Sequence, residues 1–396
     1  MKSFKIKNRV LFWSLFSAFT LFVICYLYFS LDGIWMFFNV PFMNPIFADL
    51  INVTHAHLAL EAGLDPIFSN PFDPWCRPMP YPRIWLYLRH FFFTCENTVY
   101  IAFLQMFFFL CSVYSLLRDV NVKYSWVCLI FIFSPSVLFC VERGNVDLTI
   151  FSLLMLCLKN INKSRVWSSL FLLFSSLLKI YPIFAILVLF KSGLKSSIKS
   201  IWPILFIFIV YFSLVFDDLI QINKIVNFSQ DVGFGLKPLV YFLTNLKFKW
   251  TMIFVVLNIF ILFLFYRFVF RLNYRRLVRF ENQYLLAFVA GSSLYIGMYF
   301  LGVNHNYKLI FLLFCIPFLL SEVNSVCPRL YFWLIFIVAL ALWYPFFNKI
   351  IGLLSLPGFT HSLVRLTEHT IHFNLVCIFI LFVVLFVDNC FRKTLI

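Results

Sequence analysis

The sequence predicts an all-α, polytopic transmembrane helical bundle of about 12 segments, on three observations. The 396 residues are 63% hydrophobic and 12% charged, with a mean hydropathy of +0.95, whereas a soluble chain carries about 25% charged residues. So little polar surface cannot coat a water-facing globule. Apolar runs of about 20 residues, the length a helix needs to cross the hydrocarbon core, recur from end to end. Finally, the 32 Lys and Arg, which set a net charge of +16, sit in short clusters between those runs, as the positive-inside rule requires. That distribution assigns the charge to the membrane surface and excludes a nucleic-acid partner.

Each element follows in chain order. The first apolar run, near Val10 to Leu31, is too long for a cleaved signal peptide and lacks its small-residue exit, so it is expected to stay as a signal anchor. Basic clusters then order the path: Lys2, Lys5, Lys7 and Arg9; Arg118 and Lys123; Lys159, Lys163 and Arg165; Lys191, Lys195 and Lys199; Arg271, Arg275, Arg276 and Arg279; Arg329; Arg392 and Lys393. With all of them in the cytoplasm, both termini lie inside. The spans then fall near 10–31, 98–117, 125–141, 146–158, 166–178, 181–190, 200–216, 250–270, 282–301, 307–321, 329–347 and 373–390. Segments 166–178 and 181–190 are each too short to cross alone. Both flanks are basic, which predicts that the chain enters and returns, turning at Lys179-Ile180-Tyr181-Pro182. One Pro-kinked span with a snorkelling lysine is the alternative, and it would invert the later topology. No repeat or soluble domain interrupts the chain, so residues 1–396 are read as one membrane domain.

On this path the outward side collects the unusual residues: the Pro- and Asp-rich stretch from Asp32 to Asn97, Glu142-Arg143-Gly144-Asn145, the Lys179 turn, and the loops near 217–249, 302–308 and 349–372. All 7 histidines fall there or at its edge. Chemistry is therefore expected on that side.

Within Pro45 to Gly63, helical spacing places Asp49, Asn52, Ala56 and Ala59 on one face. Small neighbours would let a substrate approach the Asp49 carboxylate, which could act as a general base; a solvated Asp on an interfacial helix fits the spacing equally well. Gly63-Leu64-Asp65-Pro66 ends that helix. Further on, Tyr81-Pro82-Arg83 offers an Arg that could hold a phosphate, although snorkelling beside Trp85 and Tyr87 explains Arg83 better when it is taken alone. Val141-Glu142-Arg143-Gly144-Asn145-Val146-Asp147 is a charged knot between apolar runs, and charge near the bilayer costs about 2.5–3.5 kcal/mol per group at a helix centre. Such a knot points to binding, catalysis or an internal ion pair. Lys179-Ile180-Tyr181-Pro182 and Asn304-His305-Asn306-Tyr307-Lys308 each set a lysine where an apolar run meets the outer side. Two lysines and an arginine would neutralise a pyrophosphate or phosphodiester.

Other chemistries find little support. The 11 cysteines form no CxxC pair, and spacing alone leaves a Cys76–Cys95 disulfide open. No carboxylate-rich motif adjoins the pairs His55/His57 or His369/His372, so no metal site is expected. A Gly-rich phosphate loop is lacking, so neither a soluble nucleotide substrate nor a cofactor is indicated.

Taken in order, Asp49, Gly63-Leu64-Asp65-Pro66, Tyr81-Pro82, Arg143-Gly144-Asn145, Lys179-Ile180-Tyr181-Pro182 and Asn306-Tyr307-Lys308-Leu309-Ile310-Phe311-Leu312 resemble the GT-C membrane glycosyltransferases, nearest the polyprenol-phosphate-mannose-dependent glycosyltransferase family 87. The resemblance covers about Asp49 to Leu312. It implies inverting transfer of a hexose, mannose in that family, from a polyprenyl-phosphate donor to a lipid-linked or surface-glycan acceptor. The reaction would run on the extracytoplasmic side of a cell membrane, bacterial by this resemblance. Asp49 would be the base. Arg143, Lys179, Lys308 and Arg83 would hold donor phosphate, supported by Asn52, Glu142, Asn145, Tyr181, His305, Asn306 and Tyr307. A lipid-linked saccharide transporter and an O-antigen-type polymerase or ligase are the rival classes; the first would need internal repeats, and the second no base in the first loop.

Overall fold

The computed structural model describes residues 8–192, 194–225, 233–245, 248–271, 282–301, 304–325, 327–354 and 359–392, and within them the chain is helical almost throughout. Lys2, Lys5, Lys7, Arg275, Arg276, Arg279 and Lys393 of the basic clusters lie outside these residues. The first half runs α1 (Arg9–Tyr28), α2 (Asp32–Phe37), α3 (Ala48–Glu61), α4 (Ile84–Tyr87), α5 (Thr98–Leu117), α6 (Ser125–Ile132), α7 (Pro135–Glu142), α8 (Asp147–Asn160) and α9 (Arg165–Leu178). A 3-10 helix, Tyr181–Ser192, leads into α10 (Leu194–Leu214), α11 (Phe216–Ile225), α12 (Leu236–Asn245), α13 (Phe248–Arg271) and α14 (Leu285–Phe300). A second 3-10 helix, Asn306–Cys315, continues as α15 (Ile316–Glu322), before α16 (Pro328–Leu354) and α17 (Phe359–Arg392). Two short strands, β1 (Gly233–Phe234) and β2 (Asn304–His305), pair antiparallel with Gly233 opposite His305.

Local chemistry sets the breaks. Asn8 caps α1 by accepting the Leu11 N–H (3.1 Å). Pro135 opens α7, where its missing N–H costs nothing. Ser164 accepts the Trp167 N–H at the start of α9 (3.4 Å), and α9 stops where Lys179 turns extended, just ahead of Pro182.

Among the described residues, five helices are long and apolar enough to cross a membrane: Arg9–Tyr28, Cys95–Leu117, Ser197–Leu214, Pro328–Leu353 and Val364–Arg392. The pair Val122–Ile132 and Pro135–Glu142, bent by 55°, would make a sixth. This is fewer than the 12 expected. Several segments expected as spans form short helices instead: Arg165–Leu178, Tyr181–Lys191 and Leu285–Phe300 have 10–17 residues each, and the run near 125–141 is bent at Pro135.

The bundle has two chemically distinct ends. At one, Ser125 Oγ donates to Asn8 (3.1 Å), Lys191 Nζ to Asn162 (2.8 Å), and Asn282 Nδ2 to Ser321 (2.7 Å) and Glu322 (2.6 Å). The Lys191–Asn162 contact means that the chain reverses at Lys179 and returns beside the start of α9, so the expected turn, and not a kinked through-helix, is what forms. The other end gathers Asp49, Asn145, Lys179 and Tyr181. Between them lies the main apolar core, against which α14 packs on several sides, with two smaller apolar clusters around Trp35 and Phe47. Gly297 lets the Tyr181–Ser192 helix press against α14, since a Cβ there would lie 2.0 Å from the Phe184 ring. Phe151 and Phe314 stack at 4.2 Å across α8 and the Asn306–Cys315 helix. Large apolar residues of α10 and α13, among them Trp202, Phe206, Ile259 and Phe263, face outward, as lipid-facing positions do.

Candidate functional site

The site begins with the charged knot. Helix α7 ends at Glu142, and its last carbonyls point away from their own helix. Glu142 O accepts the Phe47 N–H (2.8 Å) and Arg143 O accepts the Asp49 N–H (3.0 Å), so the knot satisfies the unpaired donors at the start of α3. Such an approach requires glycine. Gly144 has φ +55°, and a Cβ there would meet Phe47 Cβ at 3.0 Å and Leu50 Cβ at 3.3 Å.

This docking sets Asp49 against Asn145. Asn145 Nδ2 donates to Asp49 Oδ2 (2.6 Å), and the Arg77 guanidinium lies 3.5 Å from Asp49 Oδ1. Arg77 is itself fixed by donating to Asp73 Oδ2 (3.0 Å) and Oδ1 (2.9 Å) and to Ala48 O (2.6 Å). Four carboxylates gather here, and Glu142, Asp147 and Asp73 are 0% exposed against 18% for Asp49. Only Asp49 of the four is reachable.

The lysines converge from two other elements. Lys179 Nζ donates to Asp147 Oδ1 (2.5 Å) and Asn145 Oδ1 (3.1 Å), and Tyr181 donates its hydroxyl to the same Asp147 oxygen. Lys179 also lies over the rings of Tyr81 (5.3 Å), Tyr181 (5.7 Å) and Tyr307 (5.7 Å). Lys308 approaches the Tyr181 ring at 5.2 Å and donates to Asn304 Oδ1 (2.8 Å). Its carbon stem and ammonium are thus placed by the β1–β2 pair, which holds Asn304. Arg143 lies beside Glu142 (3.2 Å), donates to Pro41 O (3.0 Å) and stacks over Phe139 (5.2 Å). Glu142 accepts the Met43 N–H as well (2.7 Å).

The His305 ring lies tilted against Tyr307, with centroids 5.5 Å apart. Burial, and then the Lys308 charge, pull its imidazole down to about 4; Asp49, Arg143 and Lys179 are close enough to act on it too. It is neutral at physiological pH. Burial also pushes the Tyr81 phenol up, with Asp49 adding to the shift, so Tyr81 stays a neutral hydroxyl, 3.4 Å from Asn145. Asn306 is buried, and its Oδ1 has no partner.

Two expected site residues take structural positions instead. Arg83 forks onto Asp218 (2.7 and 2.9 Å) and Asp65 (2.7 and 3.3 Å), tying the stretch between α3 and α4 to α11; the hydrogen bonds to Asp218 and then Asp65 raise its pKa further. It is not presented to the cluster around Asp49. Asn52 is buried, donating to Arg77 O (2.8 Å) while its own carbonyl accepts from Asn70 (3.3 Å). Ala56 and Ala59 are also fully buried, so the small face of α3 packs on protein and leaves no approach path along it. Cys76 and Cys95 are free thiols. Among the described residues no group of three His, Cys, Asp or Glu is placed to hold a metal ion.

Sequence reasoning passed over Arg77 as the partner of Asp49, and gave Asp147 no role. The available signals were Asp73 and Arg77 four residues apart in a Pro-bounded loop, and Asp147 closing the knot. No protein-family model matches the chain, and neither does any of the curated proteins compared with it.

Proposed function

We propose that the protein is a GT-C-like membrane glycosyltransferase. It transfers a hexose, mannose by the resemblance, from a polyprenyl-phosphate donor to a glycan or glycolipid acceptor with inversion. The observation that carries this reading is the convergence of motifs from residues 49, 143–147, 179–181 and 304–308 on one reachable carboxylate surrounded by cations.

The acceptor hydroxyl oxygen attacks the anomeric carbon and the bond from that carbon to the phosphate oxygen breaks. Asp49 takes the hydroxyl proton, a contribution of about 10²–10⁴-fold. The phosphate leaves as an anion toward Lys179 and Lys308. Asp147, buried and shared by Lys179 and Tyr181, keeps that ammonium in place. Arg143 completes the positive surface while its own charge is balanced by Glu142.

The chain path of this reading has twelve membrane segments, with the site on the extracytoplasmic side of a bacterial plasma membrane. The 3-10 geometry makes the short segments longer than their residue counts suggest. At about 2.0 Å per residue, Asn306–Cys315 spans about 20 Å, and α15 adds about 10 Å, together close to the hydrocarbon thickness of about 30 Å. Purified protein reconstituted with an acceptor-bearing membrane extract should transfer sugar from polyprenyl-phosphate hexose. Comparable turnover with a nucleotide sugar alone rejects a lipid-phosphate donor.

A further inference from the structure

At the end of the bundle opposite Asp49 lies a cavity of about 360 Å³ that the proposed transfer does not use. It falls within the volume range of small-molecule sites, about 300–1,000 Å³. The C-terminal turns of α5 and α8, the end of the Tyr181–Ser192 helix and the start of α14 close around it. Helix α8 has 14 residues, so at 1.5 Å per residue the cavity and Asp147 lie about 20 Å apart.

Its chemistry is two-sided. Leu116, Leu158 and Leu285 supply an apolar wall, while Lys159 and Lys191 supply positive charge. Lys191 bonds only the neutral Asn162, and Lys159 makes no ion pair among the described residues. The one carboxylate in the lining, Asp119, is 3.6 Å from Arg118. Ser115 Oγ, also in the lining, is buried with no hydrogen-bond partner. Burial, and then the charges of Arg118 and Lys163, lower the Lys159 pKa.

We propose that this cavity binds a phosphate anion, with Lys159 and Lys191 as the charge partners, Ser115 as a hydrogen-bond donor and the leucine wall receiving the start of an attached lipid chain. A basic pocket between membrane helices at the basic face is suited to an anionic lipid headgroup. A free phosphate would use the same cations but leave the leucines uncovered.

Native mass spectrometry of the full-length protein released from nanodiscs containing both phosphatidylglycerol and phosphatidylcholine tests this. Wild type should retain phosphatidylglycerol preferentially, and Lys159→Gln/Lys191→Gln should reduce that retention at least tenfold. Lys123→Gln, a basic residue of the same end outside the cavity lining, should retain it like wild type. In a thermal-shift arm, phosphatidylglycerol should stabilise wild type but not the double variant. An equal, Lys159/Lys191-dependent shift from inorganic phosphate with no lipid retained supports the site and assigns it to a soluble anion. Equal retention of both lipids with no phosphate shift, or an equal loss in Lys123→Gln, overturns it.

Discussion

Lys179 and Lys308 reach the same tyrosine ring but are held differently, and the difference separates stability from binding. Lys179 is the partner of an Asp147 that is wholly buried, so Lys179→Ala strands a buried carboxylate and should cost about 3–5 kcal/mol of stability. Lys308 rests on the neutral Asn304. Lys308→Ala should leave thermal unfolding close to wild type while weakening donor binding at least tenfold. Equal melting losses in the two variants would contradict this division. Residue identity alone could not have drawn it. Motif order brought out Asp49, Asn145, Lys179, Tyr181 and Lys308, but which lysine has a carboxylate is decided by contacts made across 32 residues or more. Arg77 and Arg83 show the same limit. Both sit in the Pro-rich stretch between α3 and α4, and only the fold places one at Asp49 and the other between Asp65 and Asp218.

At the scale of elements, the site depends on the docking of α3 onto the turn after α7. Gly144→Ala forces a Cβ into Phe47 at a positive φ, and should cost about 1–3 kcal/mol by overpacking and reduce transfer by displacing Asp49. Unchanged melting and activity would mean that the contact does not position the base. The reversal at Lys179 is equally testable. Single cysteines replacing Asn162 and Lys191 in a cysteine-free background should be labelled by an impermeant reagent from the same side of the membrane. Labelling from opposite sides would restore the kinked through-helix. Short apolar runs flanked by lysines carried this turn in the sequence because charge resists burial. The 3-10 form of Tyr181–Ser192 and Asn306–Cys315 was not legible; both helices lie close against glycines of α14, Gly297 facing Phe184 and Gly291 facing Phe311 and Phe314.

For the whole molecule, composition was enough to state the all-α membrane class, because 63% hydrophobic residues leave no soluble solution. Span count was harder to read: Pro135 bends a run that hydropathy joins, and the segments expected near 166–178, 181–190 and 282–301 form helices of only 10–17 residues. The charge alternation set the knot and the Lys179 turn at one end and the Lys159, Lys163 and Lys191 clusters at the other, and the Asn145–Asp49 and Lys191–Asn162 hydrogen bonds fall at those two ends. Reporter fusions after Arg279 and Lys393 should therefore read cytoplasmic, and one after Phe228 should not. An outward C-terminus would contradict the path.

The central claim is that Asp49 takes the acceptor proton, and single-turnover transfer by purified protein with bound polyprenyl-phosphate hexose measures it most directly. Asp49→Asn preserves the side chain's size and removes the base. Transfer should fall by about 10²–10⁴-fold, with donor binding and membrane insertion close to wild type. Glu142, fully buried against Arg143 and the Met43 N–H, has no reach to an acceptor, so Glu142→Gln should weaken folding or donor binding more than the chemical step. Near-full transfer by Asp49→Asn, together with a Glu142→Gln protein that binds donor and transfers nothing, would contradict the account and move the base to Glu142.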